Sequence, residues 1–136
     1  MAKTMNLSSV TWSGVTFGGL REHLPDFENE ERLLDTGASD WIEDTAAVSK
    51  RFRVEIRFND QATLGSLMVG AKLGGDESSL VVIVKIKDSV NTITYTYLNA
   101  KLMRLSAVEG HNEYGVYAAT FLVRSTDGTT SPVEVT

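Results

Sequence analysis

Apolar and charged residues alternate strictly through the stretch KRFRVEIRF, Lys50 to Phe58. Successive side chains of an extended chain point to opposite sides, so Phe52, Val54, Ile56 and Phe58 share one face of a predicted strand over Ser49–Phe58. Arg51, Arg53, Glu55 and Arg57 share the other. The same period of two recurs in Asn91–Leu105, where Thr92, Thr94 and Thr96 oppose Ile93, Tyr95 and Tyr97, and in Glu113–Arg124, which groups Tyr117, Ala119, Phe121 and Val123. Ser79–Lys87 (SLVVIVKIK) starts as an unbroken apolar run, expected of a strand covered on both faces, and alternates only at Lys85 and Lys87. Leu7–Phe17 is rich in β-branched and aromatic residues and predicts a strand bulged at Gly14. Asp127-Gly128 marks a turn before a last short strand, Val133–Val135.

One segment changes period. After Asn59 or Asp60, either a good N-cap, Leu64, Leu67, Met68 and Ala71 follow the i, i+3, i+4, i+7 spacing of an apolar helical stripe, which predicts a helix over about residues 60–71. Gly65 weakens it by roughly 1 kcal/mol relative to alanine, so packing against the sheet must hold it. Residues 20–46 carry Pro25, scattered acids and Gly37, and predict an extended acidic loop or long hairpin with short strands near Glu31–Leu34 and Trp41–Ile42. The fold class is therefore mainly β: a sandwich or partly closed barrel with one flanking α-helix, in a single domain spanning residues 1–136.

The length of 136 residues suits one core, and the absence of cysteine removes disulfides and thiolate chemistry. No apolar run resembles a signal peptide or approaches the roughly 20 residues of a membrane span, which predicts a soluble protein made in the cytoplasm. The net charge of -5 argues against a dedicated nucleic-acid binder. Charge is also segregated. Glu22, Asp26, Glu28, Glu30, Glu31, Asp35, Asp40, Glu43 and Asp44 crowd one segment, whereas Lys50, Arg51, Arg53, Arg57, Lys85, Lys87, Lys101 and Arg104 fall mostly on predicted strands. Such a division predicts mutual attraction, within one chain or between copies.

Catalytic chemistry finds little support. His23 and His111 are the only histidines, far apart in sequence, and His111-Asn112-Glu113 matches half of a zinc-deaminase signature whose cysteines this chain lacks. Gly65–Lys72 imitates a phosphate loop, but its lysine comes one residue late and the segment is itself the helix. No GxSxG marks a nucleophile. No catalytic residue, cofactor or metal is expected. Arg51, Arg53 and Arg57 could contact phosphates, but the aromatic residues nearest them face the core and offer no base-stacking platform, which favours a solvated face or, above all, pairing with acids of a neighbour.

The order of elements resembles the tail tube proteins of long-tailed bacteriophages, related in fold to the tube protein of type VI secretion systems. The likeness runs through VTWSGVTFGG, then the acidic segment, then RFRVEIRFNDQATLGSLMVGAKLGG, SLVVIVKIKDSVNTITYTYLNAKLMRL and YGVYAATFLVRS. It implies a structural, non-enzymatic subunit of the virion tail that forms stacked hexameric rings, with neighbouring sheets joined into one barrel around a channel for the genome. It also implies other tail proteins as partners, such as tape measure and terminator, with double-stranded DNA present only in transit. On this reading Arg51, Arg53 and Arg57 meet acids of an adjacent subunit or ring, with Glu28, Glu31, Asp35, Asp40 and Asp44 as candidates. The polar, uncharged face of Thr92, Thr94, Thr96 and Thr120 suits the lumen, because a basic lining would retard DNA. Two alternatives stand beside it. One is another tail or secretion-tube component of the same fold, such as a terminator or a secreted tube protein. The other is a small β-sandwich module binding carbohydrate or protein through Trp12, Trp41, Tyr95, Tyr97, Tyr114 and Tyr117.

Overall fold

A computed structural model describes residues 4–34, 44–69, 72–75, 77–87, 89–125 and 131–136. Their elements run β1 (Met5–Trp12), β2 (Val15–Thr16), β3 (Leu20–Leu34), β4 (Asp44–Phe58), α1 (Gln61–Met68), β5 (Glu77–Ile86), β6 (Thr92–Val108), β7 (Val116–Val123) and β8 (Val133–Val135). The strands form one antiparallel sheet in the order β2-β1-β5-β6-β7-β4-β3, with β8 added to β6. Among the described residues no ladder joins β1 or β2 to β3, so the sheet is not closed into a barrel.

The sheet folds into two facing layers because β6 serves both. Its first part pairs with β5 and β8, and from Ala100 onward it pairs with β7. The inward positions shift parity along the way: Tyr97 is buried, then Ala100 and Leu102. Asn99, between them, has φ 51°, a left-handed conformation that asparagine tolerates better than most residues. A second irregularity, between Leu102 and Arg104, resets the register again.

Between the layers lie Val10 and Trp12 of β1, Val54, Ile56 and Phe58 of β4, Leu80 and Val82 of β5, and Tyr117, Ala119, Phe121 and Val123 of β7, all buried. Trp12 packs edge-on against Phe121 with ring centroids 5.1 Å apart, and its indole Nε1 donates to the Ala100 carbonyl at 3.0 Å. That bond satisfies the one polar atom of a fully buried side chain. The expected alternations of β4, β6 and β7 are thus the observed ones, with Thr92, Thr94 and Thr96 turned away from the core.

Four local expectations are corrected. Ser13 and Gly14 both have positive φ (48° and 76°) and form a two-residue hairpin turn between β1 and β2, where a bulged continuous strand was expected. In β5, Leu80, Val82 and Val84 are buried but Val81 and Ile83 are only half-buried, so its outward side is not fully covered within one chain. The helix ends at Met68, and its inward side is Thr63, Leu64 and Leu67, with Met68 exposed. Of the two readings of the acidic segment the long hairpin is the observed one, but residues 20–34 form a single 15-residue strand, not a short one near Glu31–Leu34, paired to β4 from Leu20↔Phe58 to Leu34↔Asp44. The expected strand at Trp41–Ile42 and the turn at Asp127-Gly128 lie outside the described residues.

A small polar joint fixes the helix to the sheet. The Thr63 hydroxyl donates to the Asp60 carboxylate at 2.9 Å and accepts the Gly18 N–H at 3.0 Å, so the one buried polar side chain of α1 is satisfied on both counts.

Candidate functional site

The surfaces able to engage partners are the two outward sheet faces and the two unpaired edges. On the first face, register places Arg53, Glu55 and Arg57 of β4 beside Leu122, Thr120 and Ala118 of β7. Those in turn lie beside Lys101, Arg104 and Ser106 of β6. On the other flank of β4, Glu22, Asp26 and Glu28 of β3 stand opposite Arg57, Arg53 and Arg51. Cross-strand partners share a face, so acids and arginines of one hairpin meet directly.

Arg57 is neutralised within its own chain, 3.0 Å from the Glu55 carboxylate and 3.4 Å from that of Glu22. Arg53 and Arg104 make no ion pair among the described residues. Arg124 pairs with Glu77, and this hydrogen bond holds the Glu77 carboxyl below its ordinary range. Glu77, Asn99, Lys101, Met103, Leu122 and Arg124 line a shallow groove at the Val123 end of this face.

Of the acidic candidates, Glu28 is exposed on β3 opposite Arg51. Glu31 and Asp44 lie farther along the same hairpin, opposite Ala47 and Leu34. Asp35 and Asp40 lie outside the described residues. Thr120 sits between Glu55 and Arg104, on the arginine face. Thr92, Thr94 and Thr96 belong to the opposite layer, alongside Lys85, Ile83 and Val81 of β5. The four threonines therefore do not form one surface.

Sequence reasoning missed Glu22, because its pairing with Arg57 exists only once residues 20–34 are read as a strand. The signal was available: over this stretch Glu22, Asp26 and Glu28 alternate with His23, Pro25 and Phe27. The inward member His23 is half-buried between the layers. Its Nε2 and the Tyr97 hydroxyl share a 2.7 Å hydrogen bond, and its ring lies 5.1 Å from that of Tyr95. Burial lowers the His23 pKa, and burial likewise raises that of the Tyr97 hydroxyl.

The edges are unequal. Among the described residues no strand pairs with the outer side of β3 or with Met5 to Ser9 on the free side of β1, where β2 covers only Thr11 and Trp12, although β3 and β1 approach each other. Of the six aromatics considered for sugar binding, Trp12, Tyr97 and Tyr117 are buried, Tyr95 is half-buried, Tyr114 is exposed and Trp41 lies outside the described residues. Among the described residues no three His, Asp or Glu side chains converge as a metal site requires, and no helix is long and apolar enough to cross a membrane.

No family model matches this chain, and no curated protein matches it in sequence. Solved structures do. A chain in the tail of an empty gene transfer agent particle, refined helically with C6 symmetry, superposes with a TM-score of 0.55 at 14% identity, over 89% of this chain and 84% of that one. A chain in the virion of the native gene transfer agent particle gives 0.55 and 14%, over 89% and 87%. A chain in the 6-fold symmetrised baseplate of the anti-feeding prophage gives 0.55 and 9%, over 100% and 94%. At these identities the likeness is one of fold alone, shared with chains of tail and baseplate particles.

Proposed function

We propose that this protein, acting over residues 1–136 as one tail-tube-like domain, is a structural subunit of a bacteriophage-type tail that assembles into stacked hexameric rings around a genome channel. The observation that carries the reading is the open sheet. Among the described residues the 15-residue strand β3 has no ladder partner at one margin, and Met5–Ser9 of β1 have none on their free side near the other end of the strand order. Unpaired edges invite a further chain, and head-to-tail pairing of β3 with a neighbour's β1 satisfies both at once when the ring closes. The shared fold with chains of tail and baseplate particles supports the same conclusion.

The two outward faces then divide the work. The side bearing Thr92, Thr94 and Thr96 has Lys85 and Glu134 as its nearest strand charges, so it passes DNA without holding it and lines the lumen. The arginine face, with Arg51, Arg53, Arg57 and Thr120, turns outward or toward the next ring, where Glu28, Glu31, Asp35, Asp40 and Asp44 of a neighbour supply countercharge. The protein performs no catalysis, resides in the virion tail after assembly in the bacterial host, and meets tape-measure and terminator proteins along and at the end of the tube.

Electron microscopy of the purified chain tests this. Rings or tubes of six-fold symmetry are expected. A species that stays monomeric at every concentration, alone and with other tail proteins, overturns the proposal. The likeness to an anti-feeding prophage baseplate chain over the full length of this one favours a second reading, a single-ring tail component. Rings that never stack distinguish it.

A further inference from the structure

Strand β3 is held from two directions. Along its length it is laddered to β4. Across the interior it is tied at one residue: among the described residues, every hydrogen bond and ring contact joining β3 to an element other than β4 is made by His23. Its Nε2 shares the 2.7 Å bond with the Tyr97 hydroxyl, and its ring lies 5.1 Å from that of Tyr95 and 5.8 Å from that of Tyr97. Both tyrosines belong to the part of β6 bonded to β5 and β8, in the layer facing β3. The tie crosses the side on which the sheet is open. There β3 and β1 approach each other without forming a ladder, so each screens the margin that the other offers to a second copy.

A proton works against this tie. A histidinium held here needs a countercharge, and among the described residues none faces it. Strand β1 carries no charged residue between Met5 and Trp12. On β4, Glu55 and Arg57 flank the partner Ile56 and point outward, and on β3 itself Arg21, Glu22 and Asp26 are exposed. On β8, Glu134 stands opposite Thr96, which turns away from the core. The titratable groups that do face the ring are the hydroxyls of Tyr95 and Tyr97, and tyrosine supplies no negative charge where histidine titrates. A charged imidazole in such a setting gains hydration by leaving it.

We propose that His23 is a latch released by protonation: neutral, it clasps β3 to β6 and keeps the β3 margin beside its own β1; charged, it lets β3 swing free and presents that margin to a second copy. The inference rests on the assembly reading and adds a control to it, a chain screened in neutral solution and opened by mild acid.

The test is amide exchange in the full-length chain, followed residue by residue and corrected for the intrinsic rate at each pH. Between about pH 7.5 and about pH 5, protection of the amides from Leu20 to Phe27 should fall at least about tenfold more than that of β7. His23→Phe keeps a ring and removes the proton, so this difference should vanish. The carboxylates and the exposed His111 are the same in both chains, and the comparison isolates His23. Tyr97→Phe, which removes the hydroxyl alone, should lower β3 protection about fivefold at the higher pH. Equal losses in β3 and β7 mean that the proton unfolds the whole chain, and no loss in β3 means that charged His23 stays in place; either overturns the latch. By light scattering, mild acid should shorten the lag before assembly in the wild type and not in His23→Phe. Assembly whose pace ignores His23 overturns the control while leaving the ring reading intact. A chain that never assembles at either pH defeats the ring reading, and exchange alone then decides the latch.

Discussion

His23 lies among Tyr95, Tyr97 and its strand partner Ile56, where the partners that meet its ring are neutral. Burial disfavours its charged form, so the unfolded chain takes up the proton first as pH falls. The sign follows from linkage: stability is complete above the ordinary value of about 6.5 and declines as pH drops through the lowered folded value. Urea midpoints measured from about pH 7.5 downward should therefore decrease for the wild type, and His23→Phe should flatten that limb. Glu77, held low by Arg124, titrates in the more acidic carboxylate range and leaves this window clear. At this scale the sequence was partly legible. Inward residues such as Tyr97 and Phe121 follow from period alone, but the His23–Tyr97 bond depends on two layers meeting, which no local pattern encodes.

Elements with an intact period were readable and elements defined by a partner were not. Strand β7 and the helix stripe at Leu64 and Leu67 came directly from spacing. The length of β3 did not, because Pro25 and the acids are poor strand formers and only the β4 ladder makes 15 residues extend together. The Ser13-Gly14 turn was mistaken for a bulge for a related reason: β2 is two residues long and has almost no pattern to show. The helix yields a two-sided prediction. Gly65 faces open space, so Gly65→Ala should stabilise the fold by about 0.5–1 kcal/mol, seen as a higher melting temperature. Leu67 is fully buried, and Leu67→Ala should cost about 2–5 kcal/mol in the same assay.

For the molecule as a whole, composition and charge separation pointed toward contact between copies, and the open sheet gives that idea a place to act. What sequence could not assign was which cation is already satisfied: Arg57 sits 35 residues from Glu22, and their meeting is a product of register. Threonine 120 was grouped with the wrong column for the same reason. The shared strand β6 carries one more implication. Tyr95 to Tyr97 are bonded to β5 and β8, and Ala100 and Lys101 to β5 and β7, so this stretch has a neighbour on either side. In deuterated solvent its amides can open only when both layers separate, whereas those along the outer sides of β3 and β1 are released by local fraying. The slowest amide protons should accordingly cluster at residues 95–101, and their exchange should track global unfolding under increasing denaturant. Early deuteration there, ahead of the margins, would mean that the two layers breathe apart without the chain unfolding.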